Sequence, residues 1–285
     1  MKTLGSARIG RRAAAMLAFG AVTAVMAGAA DQNGEKKEPI GYSDTPVIPG
    51  QKWKVHDIDR PRPRTITPGA KPGDPPSDAI VLFDGRDLSK WVQHGKKEEK
   101  GKIVAPQWIV KEGYFEILPH SGDLVSKEKF GDAQYHIEWA APVKPCGTSQ
   151  WRGNSGVLIM SNYEIQVLDN DNNPTYADGM AGSVYGQWPP LVNPARVRGE
   201  WQMYDIAFEA PVFDGEKLVK PAYVTVFLNG VLVQHHQRII GRMTHRRVGV
   251  YQAHGAVESL SLQDHQVPVR YRNIWVRPLK GYDQP

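Results

Sequence analysis

Val224-Thr225-Val226-Phe227-Leu228-Asn229-Gly230-Val231-Leu232-Val233-Gln234 decides the fold class. Two apolar runs rich in β-branched residues flank Asn-Gly, the pair favoured in two-residue hairpin turns because both turn positions need positive φ. Outward from this hairpin, short apolar runs recur from Ala79 onward. They are Ile80 to Phe83 before the turn Asp84-Gly85, Val157 to Met160, Tyr163 to Leu168, Met203 to Phe208, Val248 to Tyr251, Leu260 to Gln263 and Tyr271 to Val276. Tyr135, Ile137 and Trp139 alternate with His136, Glu138 and Ala140, the period-two pattern of a half-buried strand. No stretch keeps a helical period with caps. The 28 Gly, 22 Pro, 8 Trp and 11 Tyr in 285 residues suit strands and tight turns rather than a helical bundle. One all-β sandwich of about 200 residues is expected, without an internal repeat.

With 41% hydrophobic and 23% charged residues, the chain is a globular one, and disorder throughout is excluded. The formal charge of +5 is mostly local. Residues 1–30 carry Lys2, Arg8, Arg11 and Arg12 and no acid; without those four, 31 basic residues face 30 acidic ones. No basic stripe remains to neutralise phosphates, so nucleic acid is not an expected partner. The same 30 residues have a charged start, an apolar run from Ala13 to Val25, and Ala27, Gly28, Ala29 and Ala30 before Asp31, the order of a cleaved secretory signal peptide. The run is shorter than the roughly 20 apolar residues of a membrane anchor. Arg11-Arg12 leaves Sec and twin-arginine export both open. The expected location is periplasmic or secreted, with no membrane anchor. Cys146, the only cysteine, cannot form an internal disulfide and reads as a loop thiol.

Residues 31–78 hold 9 of the 22 prolines, as in Arg60-Pro61-Arg62-Pro63-Arg64, and cannot complete strand ladders. Trp53, Val55, His56 and Ile66 give this stretch something to bury, so it reads as an extended arm from about residue 46. The expected organisation is a signal peptide over 1–30, a Pro-rich arm over 31–78 and a β-sandwich domain over 79–281.

Alternation predicts which side chains share a face. Burying Tyr135, Ile137 and Trp139 turns His136 and Glu138 outward; burying Tyr163, Ile165 and Val167 turns Glu164 and Gln166 outward; burying Leu260 and Leu262 turns Gln263 and His265 outward. A solvated polar face is ordinary for an antiparallel sheet. The choice of Glu, Gln and His over Lys, Thr and Ser is what suggests a site.

Several motifs then resemble a known family. They are Val81-Leu82-Phe83-Asp84-Gly85 with Leu88 and Trp91, Gly153-Asn154-Ser155-Gly156-Val157, Tyr163-Glu164-Ile165-Gln166-Val167-Leu168-Asp169, Tyr176-Ala177-Asp178-Gly179, Tyr185-Gly186, and Leu262-Gln263-Asp264-His265 with the stretch from Val269 to Leu279. Their order and number are similar to the family long called domain of unknown function 1080, described as 3-keto-disaccharide hydrolase or 3-keto-glucoside 1,2-lyase and hydratase. The resemblance covers about residues 41 to 280. It implies a concanavalin-A-like jelly roll that cleaves 3-keto-glycosides. A C3 ketone acidifies the C2 hydrogen; a base removes it, the enolate expels the C1 substituent, and water adds to the product. Such a site needs a base, an acid and a donor at the enolate oxygen.

Glu164 and His265 are the leading base and acid, in either order, with Glu138 and His136 in reserve. Asn154, Gln166 and Gln263 suit hydroxyl recognition or enolate donation, and Tyr185 suits stacking or proton donation. Asp169 is a further substrate-binding candidate. A divalent metal as Lewis acid fits the His and Glu types present. Asp169-Asn170-Asp171-Asn172-Asn173 is no hand-type calcium loop, because Pro174 takes the place of the turn glycine. No dinucleotide fingerprint is present, so no nucleotide cofactor is expected and a separate sugar 3-dehydrogenase would have to supply the keto sugar.

Two other readings compete. Laminarinase-like enzymes of the same fold place two glutamates on one bulged strand, and Glu164 with Asp169 would be the pair here. A carbohydrate-binding module without chemistry would instead use aromatic platforms. Trp108, Trp151, Trp188 and Trp201 are available for that, although packing is the commoner role of such residues. Ser155 lacks the strand-to-helix turn of a nucleophile elbow, and His235 and His236 read as a solvated strand end.

Overall fold

The computed structural model describes residues 38–96, 99–144 and 147–284. The expected signal peptide and Cys146 lie outside the described residues. Residues 38–62 form a small unit of their own, closed by isolated bridges between Tyr42 and Asp57 and between Val47 and Lys54. No helix among the described residues is long and apolar enough to cross a membrane.

Residues 63–284 form the second unit, an all-β sandwich. Its strands are β1 (Ile80–Phe83), β2 (Trp91–His94), β3 (Ile103–Val104), β4 (Ile109–Lys111), β5 (Tyr114–Glu116), β6 (Leu124–Phe130), β7 (Ala133–Ala140) and β8 (Ser155–Ile159). They continue as β9 (Tyr163–Val167), β10 (Gln202–Glu209), β11 (Val212–Asp214), β12 (Lys217–Lys220), β13 (Tyr223–Leu228), β14 (Val231–Arg238), β15 (Glu258–Leu262) and β16 (Arg270–Pro278). An eight-stranded antiparallel sheet runs β14-β13-β10-β7-β16-β5-β4, with β1 also on β16; a six-stranded one runs β3-β2-β6-β15-β8-β9. The jelly-roll class expected from the sequence is the class observed. Asn229 and Gly230 turn between β13 and β14 at φ 53° and 78°, as the dipeptide requires.

The core lies between the two sheets. Tyr135, Ile137 and Trp139 of β7 meet Tyr204, Ile206 and Phe208 of β10, and Tyr163, Ile165 and Val167 of β9 come from the other sheet; all are at most 2% exposed. A different result awaits Val248 to Tyr251, which form no strand. Val248 is 77% and Val250 69% exposed. Gly249 instead packs on the backbone of Arg242, where a Cβ would stand 2.6 Å from its carbonyl oxygen. The loop closes on itself, with the Arg242 N–H donating to the Val250 carbonyl at 3.2 Å.

Outward from β7 the alternation holds, yet His136 is fully buried. Residues of the preceding stretch cover it. The Gly73 carbonyl accepts from Trp275 Nε1 at 2.9 Å and Asn273 Nδ2 at 2.8 Å, and Trp275 stacks on the His136 ring at 5.1 Å. His136 Nδ1 donates to Asp205 at 2.7 Å; Glu138 accepts from Arg272 Nε at 2.6 Å and from Asn273 Nδ2 at 2.9 Å. Burial opposes charge on both groups, but hydrogen bonding prevails. The partners Asp205 and Glu138 raise the pKa of His136, while His136, Asn273 and Arg272 pull Glu138 down to about 2. The cluster ties the stretch before β1 to the sheet. Asp205→Ala strands the buried imidazole donor and is expected to cost about 1–3 kcal/mol in urea denaturation.

Candidate active site

On the six-stranded sheet, β9 carries Glu164 and Gln166 on the face away from the core, as its alternation requires. The two are 3% and 1% exposed because the face is roofed rather than open. The segment from Gly182 to Tyr185 pairs with β9. The Gln166 N–H donates to the Ser183 carbonyl at 3.0 Å, and the N–H groups of Gly182 and Tyr185 donate to the carbonyls of Gln166 and Glu164 at 3.1 Å each. A cleft of about 310 Å³ remains. Asn154, Glu164, Gln166, Tyr185, Gln263 and His265 line it, together with Gln150, Trp151, Tyr176, Met243 and His245.

A glycine makes room for the carboxyl group. Gly156 of β8 sits directly opposite Gln166, and a Cβ there would stand 2.3 Å from Glu164 Oε1. Burial pushes the Glu164 pKa up to about 8, with a smaller contribution from the charge of Asp123. A line of amides meets this carboxyl. The Gly179 carbonyl can only accept, so Gln150 Nε2 faces it at 3.0 Å and also donates to Thr175 Oγ1 at 2.8 Å. Gln150 Oε1 then accepts from Gln166 Nε2 at 2.8 Å. What remains of Gln166 toward Glu164 Oε1, 2.9 Å away, is its amide oxygen. That contact is attractive only when Glu164 holds a proton. The reversed amide donates to Glu164 Oε1 and to the Ser155 carbonyl at 3.0 Å and leaves an oxygen against Gln150 Oε1, so Gln166 can meet Glu164 as donor or as acceptor.

His265 follows β15 on a stapled loop. Asp264 Oδ2 accepts from the Gly122 N–H at 2.9 Å and pairs with Lys96 at 3.3 Å, and the Asp264 N–H donates to Asp123 at 2.8 Å. Burial lowers the pKa of His265, keeping the ring neutral. Its Nδ1 and the Oδ1 of Asn154 are buried without a hydrogen-bond partner among the described residues. Asn154 is aimed by its own Nδ2, which donates to the Gln150 carbonyl at 2.7 Å. The Gln263 side chain makes no hydrogen bond among the described residues, its backbone N–H being held by the Gly156 carbonyl at 3.0 Å. At the rim, Tyr185 OH lies 2.8 Å from Tyr176 OH and 2.9 Å from His245 Nδ1. Burial raises its pKa.

Three candidates stand elsewhere. His136 and Glu138 belong to β7, which the topology assigns to the eight-stranded sheet, so the reserve pair shares no face with Glu164. Asp169 lies beyond β9 and is 4% exposed. Arg152 Nη2 and Nε donate to it at 2.6 and 3.1 Å, and Arg198 Nε is 3.5 Å away. No bulge interrupts the pairing of β8 with β9, and Glu164 is the one carboxyl group in the cleft lining, so the laminarinase-type pair is not formed. The Asx-rich run from Asp169 is a turn closed on itself, with the Asp171 N–H donating to Asp169 at 2.9 Å and Asn173 Nδ2 to the Asp169 carbonyl at 2.7 Å.

Gln150, Tyr176, Met243 and His245 are not among the sequence candidates, and Trp151 is among them only as an aromatic platform. Tyr176 carried a signal, since it opens the motif Tyr176-Ala177-Asp178-Gly179. Of the four tryptophans weighed as platforms, Trp108 is buried, Trp188 donates to the Arg238 carbonyl and Trp201 lies under Arg272 at 4.2 Å. Trp151, 56% exposed, stands 5.4 Å from the His265 ring at the cleft. Among the described residues no three His, Cys, Asp or Glu side chains group closely enough to hold a metal ion.

A jelly-roll sandwich with a neutral carboxyl group, a neutral imidazole, free amides and an aromatic wall in one cleft defines a glycoside-hydrolase-like enzyme. Residues 78–277 match the family described as the 3-keto-alpha-glucoside-1,2-lyase-like domain, and the chain belongs to that family. A curated relative from Bacteroides thetaiotaomicron, named 3-keto-disaccharide hydrolase, is 26% identical over 166 residues; the match covers 48% of this chain and 55% of the relative, so the chain spans about half the length of that relative. A candidate glycosyl hydrolase from Parabacteroides distasonis, solved by crystallography, is 40% identical with a TM-score of 0.73, covering 82% of this chain and 100% of its own. A second one from that organism, 20% identical with a TM-score of 0.52 over 71% of this chain and 94% of its own, shares the fold.

Proposed function

We propose that the cleft cleaves 3-keto-glycosides by elimination followed by hydration, with His265 as base and Glu164 as acid. The observation that carries the order is the burial of the Glu164 carboxyl group against Gly156, which raises its pKa to about 8 and so favours its protonated form. The lowered pKa of His265 leaves it free to accept. His265 takes the C2 proton, and the electron pair delocalises onto the C3 oxygen. As the enolate collapses, the C1–O bond breaks and the Glu164 proton goes to the leaving oxygen, giving the free alcohol and an unsaturated 3-keto sugar. Glu164, now a carboxylate, takes a proton from water as its oxygen adds to C1, and His265 returns its proton to C2. The net reaction consumes one water and restores both groups.

Other residues fit around this core. The free Gln263 amide suits the enolate oxygen, and the unpartnered Asn154 Oδ1 suits a sugar hydroxyl. Trp151 gives the ring an exposed aromatic face. The keto substrate must come from a separate sugar 3-dehydrogenase, and the leader-like first 30 residues support periplasmic or secreted action. Incubation with 3-keto-trehalose and 3-keto-lactose is expected to release free sugar, whereas unoxidised trehalose and lactose stay intact. Binding of these sugars without release would overturn the reading in favour of a lectin. Parallel reactions with EDTA read whether a metal ion takes part.

A further inference from the structure

The cleft does not end at Tyr185. Tyr176, Tyr185 and His245 are shared with a second hollow of about 500 Å³, whose far wall is Arg246 and Arg247 with the exposed Val248. Neither guanidinium has an ion pair or hydrogen bond to another side chain among the described residues. Arg246 holds φ 57° inside the turn in which the Arg247 N–H meets the Thr244 carbonyl, a left-handed backbone that a non-glycine residue adopts at a cost. Val248 opens the run that the sequence pattern read as a strand and that forms a loop, continuous with the turn holding Arg246 and Arg247. The acid in the lining is Asp178, beside Gly186, whose N–H donates to the Asp178 carbonyl at 2.9 Å. The lining thus holds two permanent cations and one carboxyl group. Since Glu164 and His265 are both neutral at rest, the negative charge such cations would attract is not supplied by the adjoining cleft.

Resting on the proposed cleavage reading, we infer that this second hollow is the leaving-group subsite and that it selects an anionic leaving group, a sugar acid or other carboxylate-bearing alcohol. The keto sugar occupies the cleft between Trp151 and Glu164; the group expelled from C1 lies past Tyr185, where Arg246 and Arg247 meet its carboxylate. A guanidinium pairs with carboxylate through two parallel N–H donors, a geometry lysine lacks.

The test compares two disaccharides that differ only in the second sugar, glucose or glucuronic acid. Binding of the unoxidised forms is followed by calorimetry, and turnover of their 3-keto forms by sugar release. The acid-ended ligand is expected to bind about tenfold more tightly at low salt, the advantage shrinking as salt screens the exposed charges. In the Arg246→Gln, Arg247→Gln double variant the ratio of the two affinities is expected to fall to about one. Equal binding by the wild type, or a preference that survives in the variant, overturns the inference. If neither 3-keto form is cleaved while the preference and its loss are seen, the cleavage reading fails and the anionic subsite stands.

Discussion

Glu164→Gln is expected to lower sugar release from 3-keto-disaccharides by about 10²–10⁴-fold, the usual contribution of a positioned proton-transfer group, while the protein stays folded. In the proposed roles the carboxyl group acts in its protonated form, and its pKa stands at about 8, so wild-type activity should fall as pH rises through that value. His265 acts in its neutral form with a lowered pKa, so activity should also fall on the acid side, below the ordinary imidazole range. The two limbs give a bell. Glu164→Gln should remove the alkaline limb from what activity remains, and His265→Gln the acid limb; a profile with both limbs intact in either variant would refute the assignment. Stability should fall in the same direction. A carboxyl group whose pKa rises from 4.5 unfolded to about 8 folded supports the fold fully below pH 4.5 and loses that support as pH climbs through 8. At about 1.4 kcal/mol per unit, the wild type should weaken relative to Glu164→Gln by on the order of 4 kcal/mol between pH 5 and 8, a difference that thermal melts across this range would read.

Gly156→Ala should have the next largest effect, although it adds one methyl group. Its Cβ would stand 2.3 Å from Glu164 Oε1, 2.8 Å from Cδ and 3.0 Å from Cγ, all inside contact distance. The backbone of β8 cannot give, since it is paired to β9 on one side and β15 on the other. The carboxyl group must therefore swing away from Gln166. Overpacking of this kind costs about 1–3 kcal/mol. Turnover should drop by about 100-fold, as for a misplaced reacting group, with a far smaller change in sugar affinity. Steady-state kinetics on 3-keto-trehalose checks this: unchanged kcat would mean that Glu164 need not sit where Gly156 allows it.

Much of the fold was legible because its signals are local. Asn229-Gly230 and the alternation through Tyr135, Ile137 and Trp139 each express a preference of a few consecutive residues. The same parity brought Glu164, Gln166, Gln263 and His265 to one face, with Asn154 and Tyr185 on its border. Which sheet a strand joins is a long-range matter. For that reason His136 and Glu138, with identical parity, came out on the opposite side of the sandwich, and Asp169 was taken by two arginines 17 and 29 positions away in the chain. Gln150, Trp151, Met243 and His245 sit on connections whose paths no periodicity encodes. Val248-Gly249-Val250-Tyr251 has the composition of a strand, but the close approach of Gly249 to the backbone of Arg242 fixed it as a loop.

β9 is the last strand of its sheet, and an unpaired last strand is a template onto which other chains can add. The short run Gly182–Tyr185 occupies that template from within the same molecule, so the segment that brings Tyr185 to the cleft also keeps neighbouring molecules from polymerising along β9. Damage there, by proteolysis or by substitutions that pull the run off β9, should show itself first as concentration-dependent aggregation, with lost turnover a secondary symptom.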